Sequence, residues 1–144
     1  MSSRLEQANE RIVRIQEHLR WGVSRITAMR ICHQGNHTTA EPRGLWRTRS
    51  KFRLEEMDST DIDFYDSNTT GKLLFSVNEC NGRSVQAFLD ESDLHGWPSF
   101  RDGEVNWEHV RVLPITGEVV SVGGTHLGHC QPDRHGNRFC INLC

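Results

Sequence analysis

Three histidines and three cysteines fall within 19 positions at the end of the 144-residue chain: His126, His129, Cys130, His135, Cys140 and Cys144. Two kinds of chemistry follow from imidazole and thiol in one stretch. The first is zinc binding, in which His126, His129, Cys130 and Cys140 could close a tetrahedron. The spacing fits no standard finger, because the chain has no Cys-x2-Cys pair. The second is nucleophilic catalysis. The thiolate is the reactive form, and a neighbouring imidazole or guanidinium raises its share at neutral pH. Cys140 follows Arg138 and has His126 and His129 upstream. Asn142, two residues on, shares a strand face with it. The plain alternative is a small buried cysteine in a strand.

The elements that must position these residues change character along the chain. Ser3 and Glu6 have capping-box spacing. Leu5, Ala8, Ile12, Ile15, Leu19, Ile26 and Met29 then recur at helical steps, with Gly22 as the weak member. This predicts an amphipathic helical arm over 1–32, packed on its own domain or pairing with a second copy as a homodimer. Residues 33–56 read as a linker, with turn chemistry at Gln34-Gly35-Asn36 and Glu41-Pro42-Arg43-Gly44. Cys32, His33 and His37 read as part of a solvated loop. Residues 57–144 carry short strand signals at 61–64, 72–77, 105–113, 118–122 and 138–143, while 84–89 reads as strand or short helix. The fold class is mainly β, built of antiparallel sheets, with an N-terminal amphipathic helix.

Composition narrows the function classes. Hydrophobic residues make up 35% and charged residues 25%, with a net charge of −2. Residues 1–56 hold 11 Lys+Arg against 6 Asp+Glu, and residues 57–144 hold 6 against 13. That balance argues against a generic nucleic-acid binder. No 18-residue apolar run suggests a membrane span, and no secretory leader pattern opens the chain. Acidic residues at 6, 10 and 17 interrupt the Arg-rich start, so a transit peptide is disfavoured, and a cytoplasmic location is expected with an organelle second. Five cysteines without a secretory signal read as reduced thiols.

Two groups of residues resemble a known family. Gly124-Thr-His-Leu-Gly-His129, Pro132-Asp133 and Arg138-Phe-Cys-Ile-Asn142 resemble the signature of the B-type methionine sulfoxide reductases, and Gly96-Trp-Pro-Ser-Phe100 resembles a second element of that family. The resemblance is strong over 96–142, weak over 61–95 and absent over 1–56. It implies antiparallel sheets of the methionine sulfoxide reductase B (Mss4-like) type in a domain spanning 57–144. It also implies reduction of methionine-R-sulfoxide, free or in proteins, through a cysteine sulfenic acid. Cys140 would be the nucleophile, His129 and His126 the acid and hydrogen-bonding pair, and Asn142 a donor ordering the polar network. Trp97, Phe100 and Arg138 would contact the substrate.

The chain departs from that pattern in three places. The family's two zinc Cys-x2-Cys pairs would fall at Ser67 and Thr70, and at Val120 and Gly123, so a zinc-less form held by packing is expected, with no bound cofactor. The usual resolving cysteine is His95 here. That leaves Cys130 as the candidate resolver, or an external reductant, either a small thiol or a thioredoxin-like protein. The family's last strand continues further than Cys144 does. Alternatives are a non-catalytic interaction module with a decayed reductase domain, and the small zinc module described above.

Overall fold

Apolar residues alternating with polar ones build two antiparallel sheets, seen in a computed structural model that describes residues 15–33, 40–48, 51–52, 56 and 58–143. Strand β1 (Ile62–Tyr65) buries Ile62 and Phe64 and turns Tyr65 outward; it pairs with β2 (Leu73–Val77). The second sheet contains β3 (Ser99–Phe100), β4 (Val110–Val112), β5 (Glu118–Ser121), β6 (His126–Cys130) and β7 (Phe139–Ile141). Its spatial order is β3-β7-β6-β5-β4, and every neighbouring pair is antiparallel. The strand carrying Cys140 is therefore an inner strand, hydrogen-bonded on both sides.

Aromatic packing joins the two sheets. Phe100 of β3 stacks on Phe75 of β2 with ring centroids 4.2 Å apart, and on Phe88 at 5.0 Å. Phe88 lies on a helix over Val85–His95. The Ser84 hydroxyl starts that helix by accepting from Ala87 N–H, and Gly96 stops it in the left-handed conformation at φ 92°. Aromatic pairs of this kind add to the burial of 150–250 Å² per ring.

A polar network also crosses between the sheets. Asp66 Oδ1 accepts from Thr125 Oγ1 at 2.6 Å and from the Asn68 backbone N–H at 3.2 Å. A Cβ on Gly123 would meet the Asn68 amide. The turns around 66–70 and 121–125 thus meet where Asp66 and Asn68 face Thr125 and Gly123, joined by the Thr125–Asp66 hydrogen bond. Packing alone was the expectation for this place.

The N-terminal part differs most from its periodicity. Of the expected helix, residues 1–14 lie outside the described residues. Residues 15–24 are not a continuous helix: Ile15 bridges to Asn68, and Trp21 and Gly22 are both left-handed, at φ 64° and 73°. Regular helix appears over Arg25–Ala28 and continues as a wider π turn over Met29–His33. Ile15 is buried and Leu19 packs against the core, so these two do not form an open seam for a second copy. Trp21, Val23, Trp46 and Phe52 join Phe64, Phe75, Phe88 and Phe100 in one buried cluster. The segments read as arm and linker therefore contribute to the same core. Over the described residues, burial of these large aromatics in the core outweighs the apolar helical period. No helix among the described residues is long and apolar enough to cross a membrane.

Candidate active site

The register of the five-stranded sheet fixes what surrounds Cys140. It pairs with Ser99 on β3 and with His129 on β6, and His129 pairs in turn with Glu118 on β5. Residues directly opposite in antiparallel strands leave the sheet on the same face. One row across four strands therefore reads Ser99, Cys140, His129, Glu118. The adjacent row of Phe100, Phe139 and Cys130 leaves by the other face, into the core.

His126 joins the first row only because of a bulge. Three residues along a regular strand, it would face away from His129. Here Val119 pairs with Gly128 but Val120 pairs with His126, so Leu127 is the extra residue. The shift in parity brings the two imidazoles together edge-on, with centroids 5.6 Å apart. His126 Nδ1–H donates to Glu118 Oε2 at 2.7 Å. A carboxylate at Nδ1 fixes that tautomer and the ring's orientation. Between the histidines, a Cβ on Gly128 would collide with the Cys140 carbonyl oxygen, so only glycine fits there.

Arg138 is buried, and its Nη1 donates to Cys140 Sγ while Nη2 donates to Gln131 Oε1 at 3.0 Å. Burial pushes the Cys140 thiol up from its ordinary value. The Arg138 charge and hydrogen bonds from Ser99 and Arg138 offset this only in part. The Arg138 guanidinium thus lies directly on the sulfur and favours the thiolate against the burial that opposes it.

Trp97 follows the Gly96 helix stop, and its Nε1–H donates to the Glu41 carbonyl at 2.8 Å. Asn142 shares the face of Cys140, is buried, and accepts at Oδ1 from the Glu41 N–H at 2.9 Å. Its Nδ2 has no hydrogen-bond partner among the described residues. Trp97, His129, Gln131, Cys140 and Asn142 line one cavity of about 80 Å³. A larger groove of about 390 Å³, between Gln16, Trp21, Tyr65 and Leu143, contains none of these groups.

A charged network holds the 131–138 loop above the site. Arg101 binds Glu91 of the 85–95 helix through Nε and Nη2, at 3.0 and 2.6 Å, and Asp133 of the loop through Nη1 and Nη2, both at 3.0 Å. Burial alone would raise the Glu91 carboxyl, but Arg101 and Arg83 hold it below its usual range. The hydrogen bond from Arg101 does the same, strongly, to Asp133. His95 lies one helical turn after Glu91, and burial followed by the Arg138 charge pulls its pKa down. Ligand atoms of Glu91, His95 and Asp133 lie within 4.8 Å of one another, but Arg101 already bridges the two carboxylates.

Among the expected site residues, Cys140, His129, His126, Asn142, Trp97 and Arg138 come together. Phe100 does not: it is fully buried between Phe75 and Phe88, on the face away from Cys140. Cys130 does not either, because pairing with Phe139 sends its side chain towards the core. That placement also breaks the proposed zinc tetrahedron, whose other three members lie on the opposite face. Cys80 is exposed in the turn after β2 and lines a separate groove, and Cys144 lies outside the described residues. Cys32 is buried and disulfide-bonded, which corrects its reading as a reduced thiol in a solvated loop. Sequence reasoning missed Glu118, Gln131 and Glu41. Glu118 stood in an expected strand, but its link to His126 depends on the bulge. Comparison with family models, with curated proteins and with solved structures finds no match for this chain.

Proposed function

We propose that the protein is a thiol-dependent oxidoreductase that reduces methionine sulfoxide to methionine. The observation that carries this reading is the row Ser99, Cys140, His129, Glu118, with Trp97 and Asn142 lining one cleft beside Cys140 and His129. The sulfur of Cys140 attacks the sulfoxide sulfur, and its proton passes to the sulfoxide oxygen with His129 as the relay. The S–O bond breaks as the hydroxyl passes to the Cys140 sulfur and the transient S–S bond opens, so methionine leaves as the thioether and Cys140 becomes a sulfenic acid. Sulfur is reduced by two electrons in the substrate and oxidised by two in Cys140. Arg138 stabilises the developing thiolate, the Asn142 amide donates to the oxygen, and the Trp97 ring packs on the S-methyl group.

The R epimer is the expected substrate, on the resemblance of 96–100 and 124–142 to the B-type reductases. With Cys130 on the other face, the sulfenic acid is reduced by an external dithiol. It releases water, returns Cys140 to the thiol and leaves the donor as a disulfide. The test is turnover of resolved R and S methionine sulfoxides with dithiothreitol, by wild type and Cys140→Ser. The expected result is reduction of the R epimer by wild type only. Equal activity in the two proteins overturns the proposal; no activity in wild type overturns it and favours an interaction module on this fold.

A further inference from the structure

A segment far from the strands in sequence closes the Cys140 face. Ala40 lines the cavity, and Glu41, only 2% exposed, makes three hydrogen bonds to the walls of the site. Its N–H donates to Asn142 Oδ1 at 2.9 Å, its carbonyl accepts from Trp97 Nε1 at 2.8 Å, and its carboxyl Oε1 accepts from the Leu143 N–H at 2.7 Å. These contacts span 101, 56 and 102 residues of sequence, so they exist only in the folded chain.

Each bond has a separate consequence. An N–H donor can face only the oxygen of a side-chain amide, so Glu41 decides which way round the Asn142 amide sits. Nδ2 is then the end left to meet a substrate oxygen. It is buried and has no partner among the described residues. A buried donor without an acceptor is costly unless a ligand supplies one. The bond to Trp97 fixes the indole at the angle at which it forms the cavity wall. The carboxyl bond ties residue 41 to the end of β7, so the two settings hold relative to Cys140. A buried carboxyl group that accepts from backbone beside a reactive thiol is more than a turn residue.

We propose that Glu41 is the positioning residue of the Cys140 site, setting the Asn142 amide and the Trp97 indole and acting on the substrate through them. The kinetic part rests on the sulfoxide-reductase reading; the geometric part does not. Three variants separate the possibilities. Glu41→Ala removes the acceptor, Glu41→Gln keeps an acceptor oxygen at the same reach, and Glu41→Asp is one methylene shorter and serves if the alanine variant does not fold. On the substrate-free protein, the Trp97 indole N–H signal, assigned through Trp97→Phe, is expected to move in Glu41→Ala and hold its position in Glu41→Gln. With methionine-R-sulfoxide, Glu41→Ala is expected to lose kcat by roughly tenfold to a hundredfold, with KM changed less than about threefold and the glutamine variant restoring most of the loss. An unmoved indole signal with wild-type kcat in Glu41→Ala overturns the proposal. So does a glutamine variant as impaired as the alanine one. The indole signal is read without substrate, so it judges Glu41 even if wild type reduces neither epimer.

Discussion

Cys130 and Cys140 belong to adjacent strands of one sheet, and they face opposite ways. On the Cys130 face, Phe100, Phe139, Ile141 and Val119 build a packed apolar core. On the Cys140 face, Ser99, His129, Glu118 and Asn142 form a polar floor closed by Trp97 and residues 40–41. Burial raises both thiols, followed at Cys130 by the Asp102 charge. Only Cys140 has a guanidinium directly on its sulfur and an imidazole directly opposite. Burial makes a cysteine inert unless a partner for the thiolate is built beside it, and strand parity decides which of two neighbours receives one.

The sharpest way to break this comparison is to remove each sulfur in turn. Cys140→Ser should lose methionine-R-sulfoxide turnover by on the order of a thousandfold or more while its unfolding midpoint stays that of wild type. Cys130→Ser should keep turnover and change only the midpoint. Loss of turnover in Cys130→Ser would restore Cys130 as resolver and contradict the parity argument.

The core face should respond in stability. Phe100→Ala is expected to cost about 3–5 kcal/mol in urea unfolding, because Phe75 and Phe88 both lose their stacking partner. Removing Phe100 with little cost, but with a large change in KM for the sulfoxide, would return it to the substrate side.

A smaller effect tests the electrostatics of the site face. Arg138→Gln removes the charge that favours the thiolate, so the Cys140 pKa should rise further. Alkylation of the Cys140 peptide by iodoacetamide at pH 7, followed by mass spectrometry, should slow by about tenfold, with a smaller slowing at Cys130, which the Arg138 charge also favours as thiolate. A faster reaction would mean that Arg138 shields the sulfur rather than activating it.

The smallest effect concerns the network that holds the 131–138 loop. Glu91 and Asp133 have folded-state pKa values below their unfolded ones. Their stabilisation is therefore present above about pH 4 and is lost as pH falls through the lower folded values. Comparing urea midpoints at pH 5 and pH 3, wild type should lose more than Arg101→Gln, whose carboxylates have no guanidinium to lose. Equal losses would show that the network does not survive in solution.

Much of the architecture was legible because strand signals are local. The expected strands at 61–64, 72–77, 118–122 and 138–143 correspond to β1, β2, β5 and β7 within a residue or two. Only Val110–Val112 of the 105–113 stretch is strand, since 106–109 forms a turn. Two site strands were not legible. β6 reads His-Leu-Gly-His-Cys, with no β-branched residue, and β3 has two residues. Both are held by their neighbours rather than by propensity. Within the described part of the helical stripe, residues 15–24 depart from a helix for the converse reason, since Trp21 and Val23 gain more from the common core than from a regular helix.

By itself, the sequence determined the mainly antiparallel character of 57–144 and the residue types needed for thiol chemistry, since side-chain chemistry and short-range periodicity are written locally. Tertiary structure decided the rest. A single extra residue at Leu127 put His126 beside His129, cross-strand register put Cys130 out of reach, and a fold of more than a hundred residues brought Glu41 to Asn142. Parity and long-range closure depend on the sum of all pairings, which no local stretch of sequence encodes.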